Sequence, residues 1–160
     1  MTIANPTVDY VADLLVLRQT YLSGSPQARY NVIQQRLQQT EIGPTRLVTV
    51  VSAVEGLARS IAMTRRAGKM STPHDLYSSY KDRAANTLVE EVLVLHGQSK
   101  PSEYFSKDTW ALFRHAVNYR NLIAHECTYL GQDKYPSLIA ASEEVLYAIV
   151  KLANLRNKQA

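Results

Sequence analysis

Apolar residues recur along this chain at intervals of three and four, and nowhere alternate strictly with polar ones, which is the signature of amphipathic helices rather than half-buried strands. Turn and breaker residues divide it into segments of helical length. A first helix is expected from about Thr7 to Tyr21, ending before Ser23-Gly24-Ser25-Pro26, and a second from Pro26 through Gln39, stopped by Gly43-Pro44. In the third, from Leu47 to about Thr64 with Thr45 as its cap, Leu47, Val50, Val54, Leu57 and Ile61 form a narrow apolar stripe, so this helix should lie in the core. A loop containing Gly68, Ser71, Thr72 and Pro73 leads into a long fourth helix, about His74 to Leu95, which ends at Gly97 in the C′ position. Ser99 to Lys107, around Pro101, reads as a loop. Two more helices follow, Thr109 to about Glu126 and Ser137 to about Asn154. Pro136 marks the start of the last, and Lys151 and Arg156 suit the negative end of its dipole. The expectation is an all-α antiparallel bundle of five to six helices, forming a single domain over residues 1–160.

Composition agrees with a folded globular chain: 46% of residues are hydrophobic, 20% are charged, and Gly and Pro number six each. The net charge of +4 favours a polyanion such as RNA without singling one out. Cys127 is the only cysteine, so no intramolecular disulfide can form and a reducing cytoplasmic setting is the simplest expectation. Asp9 and Asp13 interrupt the apolar N-terminal pattern, and no later apolar run is expected to approach the ~20 residues of a membrane span, so no membrane association is expected. His74, His96, His115 and His125 lack metal-ligand spacing, and neither a metal nor a cofactor is expected.

One segment departs from the simple amphipathic pattern. On a helical wheel at ~100° per residue, Phe113, Ala116, Val117 and Ala124 share an apolar arc, and Arg120 falls inside it. A guanidinium cannot discharge, so at a core-facing position it needs a carboxylate, a partner-chain group or an anionic ligand. A second stripe of Arg114, Asn118, Asn121 and His125 spans ~60° of the adjoining face and lines up groups able to bind phosphate or base edges. A solvated face is an equally good reading of that stripe. Arg120 and His125 lie ~140° apart, so their convergence requires long side chains over a groove, fraying near Glu126, or two such helices meeting across a two-fold axis.

The run Tyr119-Arg120-Asn121-Leu122-Ile123-Ala124-His125-Glu126 resembles the Arg-x4-6-His signature of HEPN domains, including the polar residue after the arginine. Its place near the end of a late helix, and an acidic residue on an upstream apolar helix at Ser52-Ala53-Val54-Glu55, are also similar to that family. The resemblance implies a helical homodimer whose two motifs line one cleft, often a metal-independent endoribonuclease of toxin–antitoxin or antiviral defence systems, with an antitoxin or operon-encoded partner. By position it makes Arg120 and His125 the catalytic pair, Asn121 an orienting or substrate-contacting group, and Glu55 the group that fixes Arg120; Asn118 and Arg114 are further candidates for substrate binding. Cys127 stands where toxins paired with nucleotidyltransferase antitoxins resemble Arg-x4-His-x-Tyr, which speaks against silencing by tyrosine modification. The alternative is a catalytically silent module of the same kind that binds RNA, a nucleotide or a protein. A third reading is a structural helical-bundle dimer whose Arg120 makes only an interface ion pair with Glu55 and so serves folding.

Other residues have plainer readings. Arg65, Arg66 and Lys69, with Lys81 and Arg83, are candidates for an electrostatic track, though most charge runs are solvated faces. His96 is expected to serve the end of its helix by bonding carbonyls. Tyr77, Tyr80, Tyr104 and Tyr119 are assigned to packing with a wet hydroxyl rather than to base stacking.

Overall fold

A computed structural model describes residues 8–68, 73–129 and 131–158, and every regular element within them is helical. In chain order these are α1 (Tyr10–Ser23), α2 (Pro26–Leu37), α3 (Gly43–Arg66), α4 (Pro73–Tyr80), α5 (Ala85–Leu95), α6 (Pro101–Tyr104), α7 (Lys107–Glu126) and α8 (Tyr135–Leu152), with a 3-10 turn at Gln132–Lys134. The chain is thus an all-α helical bundle, with more helices than the expected five to six for two local reasons.

The expected fourth helix is broken at residues 81–84, although no Gly or Pro stands there. Arg59 on α3 donates to the carbonyl oxygens of Tyr80 and Lys81, both at 3.3 Å, and so takes acceptors that a continuing helix would bond internally. Arg83 turns back to the Ser79 carbonyl at 3.1 Å and lays its guanidinium carbon 4.0 Å over the Tyr80 ring. Tertiary bonds therefore override local propensity. The second reason is Pro101, which begins a single helical turn where a loop was expected, since its fixed φ suits a first turn.

Helix α3 is the centre of the packing. Leu47, Val50, Val54, Leu57 and Ile61 are all buried, but so are Val51, Ala58 and Ala62 on its flanks, so the stripe is broader than expected. The cause is the number of neighbours, because α2, α4, α5, α7 and α8 all pack on it. Full burial of each large aliphatic side chain contributes about 1.5–3 kcal/mol, which places much of the fold's stability on this helix. Its start also differs from expectation. Gly43 takes a left-handed φ of +58°, Pro44 fills the first turn, Ile42 precedes the helix without a side-chain cap, and Thr45 lies inside it. By length and composition α3 is apolar enough to cross a membrane, contrary to the expectation that no run would be; in this fold 61% of that apolar window is buried among other helices.

Helix α7 is held against α3 and α8. Ser106 caps it by accepting from the Thr109 amide at 3.3 Å, and the Thr109 hydroxyl donates to Glu144 of α8 at 2.8 Å. Phe105, Trp110 and Phe113 form an aromatic cluster at its N-terminal half, with the first two rings stacked 5.7 Å apart. Phe113, Ala116 and Val117 are buried as the wheel required, whereas Ala124, beyond the packed stretch, is exposed. The segment after α8 returns to α2: Gln27 exchanges hydrogen bonds with the Arg156 backbone, and the Tyr30 hydroxyl donates to Asn157 at 2.8 Å. By contrast α1 projects apolar side chains on every side, with Tyr10, Val11, Leu14, Leu15, Val16 and Leu17 all exposed.

Candidate active site

Arg120 meets the need its position created. Its side chain is 11% exposed, and Nη1 donates to Glu55 Oε2 at 3.0 Å and to Ser52 Oγ at 3.1 Å, while Nε donates to Asn121 Oδ1 at 2.9 Å. Both α3 partners lie on one face of that helix, three residues apart, so the most protected helix of the fold supplies the anchor. Three of the five guanidinium donors are therefore committed. Nη2 makes no hydrogen bond among the described residues, and no buried side-chain nitrogen there lacks a partner, so Nη2 faces solvent with two donors open.

Glu55 holds a second cation: its Oε1 lies 3.6 Å from Arg59 Nη2. Arg59, through its bonds to the Tyr80 and Lys81 carbonyls, ties this ion-pair chain to the turn between α4 and α5. The i,i+4 spacing of Glu55 and Arg59 was the available sequence signal for that link.

Above these groups opens a cleft of about 490 Å³ whose floor includes Ser52, Glu55 and Arg120 and whose walls include Asn121, Ala124, His125 and residues 81–84. Arg120 and His125 thus line one concavity within a single chain, despite their angular separation. His125 is exposed and has no hydrogen-bond or charged partner among the described residues, so its ring is free to address a ligand. One residue beyond Glu126 the helix stops, with Cys127 in the left-handed conformation at φ 52°. His125 therefore sits in the last turn, where side chains have fewer helical neighbours than at mid-helix.

The predicted polar stripe divides at this point. Asn121 and His125 line the cleft, while Arg114 and Asn118 are exposed nearer the N-terminus of α7 and do not line it. The predicted basic track divides as well. Lys81 and Arg83 reach the cleft wall, but Arg65 donates to the Leu95 carbonyl at 2.8 Å and Arg66 binds Glu91 at 2.7 Å, which ties the ends of α3 and α5 together. Lys69 lies outside the described residues. His96 bonds the Val92 carbonyl through Nδ1 at 2.7 Å, at the end of α5.

The wall at Arg83 is stiffened from behind. Glu91 accepts from Arg66, from Arg83 at 2.6 Å and from the Tyr80 hydroxyl, and burial followed by the bond to Glu91 pushes that hydroxyl above the ordinary tyrosine range. Among the described residues no three His, Cys, Asp or Glu side chains come together as a metal-binding group. The arrangement offers an anchored guanidinium with two open donors, a free imidazole and an amide in one cleft, groups suited to binding an anion and moving a proton beside it. Comparison with protein-family models, with curated proteins and with solved structures finds no match.

Proposed function

We propose that this chain is a HEPN-like, metal-independent endoribonuclease of the toxin–antitoxin or antiviral defence type, acting on RNA in the cytoplasm. The observation that carries the reading is the shared cleft: Arg120 is fixed by Ser52, Glu55 and Asn121 with Nη2 open, and His125 lines the same concavity with its ring unengaged. Arg120 binds the scissile phosphate and stabilises the charge that builds on it in the transition state. His125 exchanges protons with the attacking 2′-hydroxyl or the leaving 5′-oxygen. Asn121 holds the guanidinium plane and Glu55 its position. The products are then a 2′,3′-cyclic phosphate and a 5′-hydroxyl.

The protein acts as a homodimer in this reading, and α1 supports it. Its large apolar side chains leave an area on the order of several hundred Å² open to water, comparable with the ~800 Å² per partner of a standard interface. A helix apolar all round needs burial, and a second copy of the same helix supplies it symmetrically. An operon-encoded antitoxin is a further proposed partner.

The test is incubation of purified protein with total RNA and a chelator, followed by end-group analysis, beside His125→Ala. Chelator-resistant cleavage that leaves cyclic phosphate and is lost in the variant supports the reading; cleavage unchanged in His125→Ala refutes the assignment. A second reading rests on the same ion pair: Arg120, with three acceptors in the protein, serves the fold, and the chain is a silent binding module. It predicts that Arg120→Ala loses stability while no RNA is cut by the wild type.

A further inference from the structure

The cleft does not end at Ser52. Val48 and Ser52 also form the edge of a neighbouring groove of about 340 Å³ between α2 and α3, which is walled by Val32, Ile33 and Arg29. Arg29 continues into a further recess with Arg59 and Ser60. A surface path therefore runs along α3 from Arg120 to Arg29.

Arg29 reaches from α2 across to Gly56 of α3. A Cβ at Gly56 would stand 2.9 Å from its Nη2 and 3.3 Å from its Nε, so the bare backbone is what lets the guanidinium lie there. On its other side its central carbon is 4.2 Å from the centroid of the Tyr21 ring. Of the guanidiniums lining these two recesses, Arg36 has Glu41 at 3.0 Å and Arg59 has Glu55 at 3.6 Å, but Arg29 has neither a carboxylate nor a hydrogen-bond acceptor among the described residues. No fully buried side-chain nitrogen among the described residues is unpartnered, so its unbonded donors reach solvent, and the side chain lines both recesses. A half-buried, oriented fork of donors without a counter-charge is suited to an anion.

Its spacing from Arg120 indicates which anion. Ser52, which holds Arg120, and Gly56, which receives Arg29, are four residues apart on one face of α3, about 6 Å along the axis. The α3 positions that receive the two guanidiniums are thus about one helical turn apart, and the recesses they line share Val48 and Ser52, with Tyr21 and Val32 offering further apolar surface on the Arg29 side. Successive phosphates of a single strand, with bases against apolar and aromatic side chains, match that pattern. We propose that Arg29 is a second phosphate-binding residue, which seats the phosphodiester next to the one held by Arg120 and makes single-stranded RNA the substrate. This rests on the ribonuclease reading for the role of Arg120.

The test uses a short, fluorescently labelled single-stranded 2′-O-methyl RNA, which binds but has no 2′-hydroxyl to react. Its Kd is measured across a salt series for wild type, Arg29→Gln, Arg29→Lys and Gly56→Ala, each checked for a folded melting profile. Arg29→Gln is expected to weaken binding about tenfold and to lower the slope of log affinity against log salt by about 0.7, the share of one phosphate contact on a single strand. Gly56→Ala should weaken binding with no change in net charge, because it displaces the fork. Arg29→Lys should keep most of the slope at reduced affinity. Wild-type affinity and slope in both Arg29→Gln and Gly56→Ala would overturn the proposal, as would absence of binding by the wild type. A parallel cleavage assay with ordinary RNA and His125→Ala separates the two readings: Arg29-dependent binding without cleavage leaves this subsite standing and sinks the nuclease, while His125-dependent cleavage with binding indifferent to Arg29 does the reverse.

Discussion

Removing Glu55 should harm the fold more than removing Arg120, although the two are partners. Glu55 faces two guanidiniums, Arg120 at 3.0 Å and Arg59 at 3.6 Å, whose side chains are only 11% and 16% exposed. In Glu55→Ala both cations lose their carboxylate while packed against α3. Stripping the partner from a fully buried charge costs about 3–5 kcal/mol, and the remaining exposure lets water screen part of that, leaving about 2–3 kcal/mol. In Arg120→Ala the carboxylate keeps Arg59, and the half-buried Ser52 and Asn121 can turn to water, so the loss should be about 1–2 kcal/mol. For a chain of this size each kcal/mol moves the thermal midpoint by about 2–4 °C, enough to separate the variants by calorimetry or urea titration. Glu55→Gln, which keeps an acceptor without the charge, should fall between wild type and Glu55→Ala. An Arg120→Ala protein destabilised as much as Glu55→Ala would refute the view that one carboxylate serves two cations.

Three further outcomes are expected. The Tyr80 hydroxyl is raised above its ordinary 10.0 by burial and then by Glu91, so its contribution to stability is complete below that value and is lost as pH rises through the folded one. Tyr80→Phe should therefore flatten part of the alkaline decline in urea midpoint, and identical slopes in the two proteins would contradict this. Cys127, a non-glycine residue with φ of 52°, should gain about 0.5–1 kcal/mol on change to Gly and lose stability on change to Val, measured by urea unfolding. If the proposed dimer forms through α1, placing Glu at both Val11 and Leu15, exposed on that helix, should shift the particle mass from dimer to monomer in light scattering without altering the helical circular dichroism; a dimer unchanged by the substitutions, or a monomeric wild type, would refute the α1 interface.

Much of this architecture was legible in the residues because it depends on local patterns. Leu47 through Ile61 announced a core helix by spacing alone, and Arg120 within an apolar arc demanded a partner; it was the resemblance that pointed to Glu55, the one acidic residue of α3, as that partner. What escaped depends on contacts distant in sequence. The break after Tyr80 arises from Arg59 taking two carbonyls, and no residue within 81–84 signals it. The helical wheel set Arg114 and Asn118 in line with His125 because it records direction around the axis, but it does not record how far along the axis a cleft extends. Arg29 over Gly56 was invisible for the same kind of reason: its significance comes from a glycine on another helix and from having no carboxylate beside it among the described residues.

The interruption between α4 and α5 gives the cleft walls of unequal permanence. Ser52 and Glu55 belong to α3, whose backbone amides should exchange with deuterium only on near-global unfolding. Residues 81–84 form one wall above that floor with a few turn bonds, such as the Arg83 amide to the Tyr80 carbonyl at 3.2 Å, and their amides should exchange far sooner. Because Glu91 ties down the Arg83 and Tyr80 side chains, the contrast lies in the backbone: the amides of the turn open first, while the groups that hold Arg120 keep their places.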